Sequence, residues 1–68
     1  MDEQREKWVR DYLLAPTRLE AAEVCRANGV KRWVVAGWAQ ELASEKGATN
    51  LKHLREILRA EAGAAAAQ

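Results

Sequence analysis

Few side chains in this chain could do chemistry, and those that could are scattered. The single cysteine, Cys25, and the single histidine, His53, lie far apart in sequence. A reactive thiolate needs a base beside it, and one Cys with one His does not make a structural zinc site. Cys25 therefore reads as a small buried apolar residue and His53 as a surface or boundary residue. Asp2, Glu3, Glu6 and Asp11 gather near the start, where they suit a solvated helix face and complement a helix dipole. No glycine-rich phosphate loop is present. We expect no catalytic residue, no metal ligand and no cofactor, and no enzymatic activity on a small-molecule substrate.

What remains is charge. The 68 residues carry 11 Lys+Arg and 10 Asp+Glu, a net of +1. Split along the chain, residues 1–25 are net −2, residues 26–60 are net +4, and Glu61 restores the total. The second half is locally basic, the footprint expected of a phosphate partner. It equally suits an ordinary solvated helix surface.

The elements that position these charges come from a short chain. A domain of this length buries only about 60% of the surface its unfolded form exposes. Ala supplies 14 of the hydrophobic residues, so the core must come from seven Leu, five Val, three Trp, Ile57 and Tyr12. A protein partner or a homodimer would add stability. No run of about 18 apolar residues exists to span a membrane. The charged start MDEQREKW does not read as a signal peptide, and one cysteine fits a cytoplasmic location.

Val, Ile and Thr are few and nowhere alternate with polar residues, so the expected fold is all-α, a compact bundle of four short helices. The first spans about Asp2 to Leu14, with Trp8, Tyr12 and Leu13 on one side, joined by Val9. Ala15-Pro16 ends it. Thr17 through Glu20 form a capping box for the second, whose inner face is assigned to Leu19, Ala22 and Cys25, and Asn28-Gly29 closes it. The third starts near Val30 or Lys31 and ends at Lys46-Gly47. Thr49-Asn50 announces the fourth, with Leu51, Leu54, Ile57 and Leu58 at helical spacing and Gly63 as its stop. Residues 1–63 make one domain, and residues 64–68 a disordered Ala-rich tail.

The third helix has two registers. If Val35, Trp38 and Leu42 face inward, Trp33, Ala36, Gly37, Gln40 and Ser44 face out. If Val30, Val34 and Trp38 centre the core, Glu41 and Glu45 are drawn inside unpaired, at a cost of several kcal/mol, roughly. The first register is preferred. Its outward strip is unusual, because Gly37 in mid-helix costs about 1 kcal/mol relative to Ala.

Residues 25–42, CRANGVKRWVVAGWAQEL, resemble the helix-turn-helix of DNA-binding domains, with Cys25, Gly29, Val35 and Trp38 at the small, glycine, β-branched and bulky positions. Val24 and Val30 fit as well. The pattern departs from the family at Asn28, usually apolar, and at Lys31, usually Ser or Thr. With the capping box the resemblance covers residues 17–42. It implies double-stranded DNA as the partner and transcription regulation as the role. The third helix, about residues 31–46, would lie in the major groove. Lys31, Arg32, Trp33, Ala36, Gly37, Gln40 and Ser44 are then the expected base contacts. Thr17, Arg18, Lys46, Thr49, Asn50 and Lys52 are the expected phosphate contacts. The alternative is a small helical adaptor or inhibitor that binds another protein through the Trp33 face, without DNA.

Overall fold

A computed structural model of the chain describes residues 1–66. It contains four helices, α1 (Glu3–Leu14), α2 (Arg18–Ala27), α3 (Arg32–Glu45) and α4 (Leu51–Ala66), and no strand among the described residues. The bundle measures 31 × 24 × 21 Å.

Each helix starts and stops for local reasons. Asp2 caps α1, its carboxylate accepting from the Arg5 amide at 2.9 Å. Ala15 takes extended backbone ahead of Pro16, which ends the helix. Thr17 Oγ1 accepts from the Glu20 amide at 3.1 Å and caps α2. Asn50 does the same for α4, accepting from the His53 amide at 2.8 Å, while His53 Nδ1 reaches back to accept from the Thr49 amide at 3.1 Å. The pair is a variant of the capping box, with histidine in the place of glutamate and the reciprocal bond going to the amide one residue before the cap.

α2 and α3 end in the same way. Gly29 adopts φ 65° and Gly47 φ 71°. The Val30 amide bonds the Cys25 carbonyl at 3.0 Å and the Ala48 amide bonds the Ala43 carbonyl at 2.8 Å. Both are six-to-one bonds, and with those from Gly29 to Arg26 and from Gly47 to Ser44 each end is a Schellman motif. Asn28, the C-cap residue of α2, adds a bond from its side-chain amide to the Val24 carbonyl at 2.8 Å.

The core comprises Val9, Leu13, Cys25, Val35, Ala39, Leu42, Ala43, Leu54 and Leu58. No polar side chain is buried in it. α1 is the central helix and packs against the other three, and α3 also meets α2 and α4. α2 and α4 flank this pair and do not meet. The inward register of α3 is the one expected, with Val35 and Leu42 buried and both Glu41 and Glu45 exposed.

Four expectations need correction. Leu19, expected on the inner face of α2, is 80% exposed. At about 100° per residue it lies about 120° round the helix from the buried Cys25. Gly63 does not stop α4, which continues to Ala66. Unlike Gly29 and Gly47 it has no positive φ, and the alanines around it are the strongest helix formers. The expected tail at 64–68 is therefore helical as far as Ala66, and residues 67 and 68 lie outside the described residues. On α1 only Val9 and Leu13 are fully buried; Tyr12 is half-buried and packs against the core, as does Trp38, while Trp8, expected on the same side, is half-buried and stacks on Trp38 outside the core. Ala36, expected to face outward, is half-buried and lines a shallow depression with Tyr12, Arg32 and Trp33.

Candidate functional site

α3 is held from behind by its core residues, and its other side is open. Lys31, Arg32, Trp33, Gly37, Gln40 and Ser44 are all exposed, Trp33 at 74%. A Cβ placed on Gly37 would meet nothing within 4 Å, so this position faces open space. Lys31 caps α3 by position only, with no side-chain bond to the helix, which leaves its ammonium free to point outward. Glu41 lies on the flank of the strip and is exposed as well.

The expected phosphate contacts divide. Thr17, Arg18 and Lys52 are exposed. Thr49 and Asn50 are exposed too, but the Thr49 amide and the Asn50 side chain belong to the α4 cap. Lys46 is half-buried, its ammonium 2.8 Å from Glu61. Glu61 also receives Arg10, which in turn holds Glu6. This network joins α1, the end of α3 and α4. It draws the Glu61 carboxyl below its usual range, chiefly through the hydrogen bond from Lys46, against the opposing effect of burial.

A feature that no local sequence signal marks lies between α2 and α4. Because those helices do not meet, they leave a concavity of about 350 Å³. Its floor is the end of α1, at Tyr12 and Leu13, with the Ala15-Pro16 turn. Arg18 at the start of α2, Arg32 at the start of α3, and Arg55 and Arg59 on α4 surround it, and no Asp or Glu lines it. Arg55 is anchored, its Nε donating to the Leu13 carbonyl at 3.0 Å. That bond satisfies an orphan carbonyl at the end of α1 and places a cation at the negative end of its dipole. Tyr12 and Arg32 also line a second, shallower depression with Trp33 and Ala36. The arginine cluster and the Trp33 strip are therefore one continuous surface.

Arg55 and Arg59 sit four apart on α4 and read locally as a solvated stripe. Nothing in their neighbourhood signals that Arg18 and Arg32 will face them, because the four residues come from three helices. Among the described residues no cluster of His, Cys, Asp and Glu could hold a metal ion. No helix among them is long and apolar enough to cross a membrane. Cys25 is a free, buried thiol. No family model, no curated protein and no solved structure matches this chain.

Proposed function

We propose that this protein is a small module that binds duplex DNA by laying α3 in the major groove. The observation that carries the reading is the division of α3 into two faces. Val35, Ala39, Leu42 and Ala43 are buried, while Trp33, Gly37, Gln40 and Ser44 form an open strip with Lys31 and Arg32 at its N-terminal end.

A helix of 14 residues is about 21 Å long and fits a groove about 12 Å wide. Gln40 has the amide geometry to pair with an adenine edge, and Lys31 and Arg32 the charge to meet guanine or phosphate. Gly37 and Ser44 allow close approach, and Trp33 offers an apolar face to a thymine methyl or a sugar. α1 packing across both α2 and α3, and a glycine turn between the latter two, supports a helix-turn-helix reading. Arg18 at the start of α2 adds a phosphate contact. One such module makes few base contacts, so useful affinity calls for a homodimer or tandem copies.

Selection from a random duplex library, followed by anisotropy titrations across salt, tests the reading. The expected result is an enriched motif and a steep loss of affinity as salt rises. Flat titrations at low salt would overturn it.

One observation favours a second reading, a protein-binding adaptor. Leu19 and Trp33 are the large apolar side chains left exposed among the described residues, and exposed aromatic anchors suit protein interfaces. That reading expects a protein complex that salt hardly weakens and that Trp33→Ala abolishes.

A further inference from the structure

The seven arginines of this chain fall into two groups. Arg5, Arg10 and Arg26 each pair with a carboxylate, on Asp2, on Glu6 and Glu61, and on Glu23. Arg18, Arg32, Arg55 and Arg59 pair with none among the described residues, and these are the four that line the concavity between α2 and α4. A merely solvated surface has no reason to sort its arginines in this way. Guanidinium groups are always charged, and gathering four of them without a counter-charge opposes folding through mutual repulsion. A bound anion removes that opposition.

We propose that this concavity is a seat for a phosphate group. Arginine is the side chain best shaped for phosphate, presenting paired N–H donors in a planar fork. Arg55 is preorganised, since its Nε is held by the Leu13 carbonyl and its remaining N–H groups are free. The start of α2 adds the Thr17 hydroxyl, and the amides of Arg18 and Leu19, which lack intrahelical acceptors. Tyr12 on the floor gives a ring for the sugar or base that carries the phosphate. The shared chemistry has two sources, a free phosphate ester or the backbone of a nucleic-acid strand. Because Arg32 and Tyr12 also border the Trp33 strip, a strand lying along α3 would bring a backbone phosphate to the mouth of the seat. The seat itself does not depend on α3 reading DNA.

The test is a nitrogen-15 NMR titration of the full chain with pyrophosphate, and separately with duplex DNA. Pyrophosphate is expected to give saturable shifts at the Arg18 amide and at the side-chain N–H groups of Arg18, Arg32, Arg55 and Arg59. The double variant Arg18→Gln/Arg59→Gln removes two exposed, unpaired cations and leaves the Arg55 anchor in place. It should weaken pyrophosphate binding about tenfold. Lys7→Gln/Arg26→Gln removes the same charge elsewhere and should leave it unchanged. If the first variant also weakens the duplex and flattens its salt slope by about two, the occupant is a strand phosphate. If the duplex is unaffected, or does not bind at all, while pyrophosphate binding is lost, the occupant is a free phosphate ester. The proposal is overturned if shifts are absent or unsaturable, or if the two variants weaken pyrophosphate binding equally. Such a failure leaves the α3 reading standing, because that reading is tested by motif selection rather than by this seat.

Discussion

The indole of Trp8 stacks on that of Trp38, with ring centroids 5.7 Å apart and planes 20° from parallel, and the Arg5 guanidinium lies 5.4 Å from the Trp38 ring centre. The pair seals the outer edge of the α1–α3 contact, and the arginine covers it with a cation–π contact. Trp38→Ala should therefore cost about 2–3 kcal/mol, a large part of the total of about 3–10 kcal/mol expected for a chain of this length. Trp33→Ala, at an exposed position, should move stability by less than about 0.5 kcal/mol. Urea denaturation of the two variants checks the contrast.

Gly29 and Gly37 should respond in opposite directions to alanine. Neither has a neighbour within 4 Å of the added Cβ, so the backbone alone decides. At Gly29, with φ 65°, Ala should destabilise by about 1–2 kcal/mol. At Gly37, inside α3, Ala should stabilise by up to about 1 kcal/mol. If α3 lies close to DNA, Gly37→Ala should also weaken duplex binding although the protein is more stable. A stabilised variant with unchanged affinity would place the ligand elsewhere.

Glu41 borders the outward strip of α3 and makes no ion pair among the described residues. Its carboxylate would repel a phosphate backbone lying along that strip. Glu41→Gln should tighten duplex binding several-fold at low salt, and the gain should shrink as salt screens it. Anisotropy titrations at two salt concentrations measure both effects.

Two ion pairs should shape stability against pH from opposite ends. The Met1 ammonium bonds Glu45 at 2.8 Å, and that hydrogen bond and charge raise its pKa above the ordinary 8.0. A raised pKa means that this stabilisation is complete below the unfolded value and is lost as pH climbs through the folded one. The Glu61 carboxyl is lowered from its ordinary 4.5 by Lys46 first and then by Arg10. Its contribution is complete above the unfolded value and is lost as pH falls through the lowered folded one. Glu45→Gln should flatten the alkaline limb of a denaturation profile and Glu61→Gln the acid limb. If each variant shifted both limbs equally, the assignment would be wrong.

Local structure is legible in the order of the residues. Thr17, Asn50, Gly29, Gly47 and Pro16 act on their own neighbours through caps, turns and steric exclusion, so the helix ends that they mark could be read within a residue or two. The inward face of α3 was legible as well, because only one register keeps Glu41 and Glu45 in water. Elsewhere the local signals are weak. Leu19 is apolar, yet its angle on the helix points it out, and Gly63 is a glycine at a place where nothing requires a positive φ. The arginine cluster arises only from the packing of whole helices. Arg18, Arg32, Arg55 and Arg59 are brought together because α1 and α3 pack between α2 and α4 and hold them apart, leaving a gap. A spacing between helices depends on how whole faces interlock, and no stretch of adjacent residues records it.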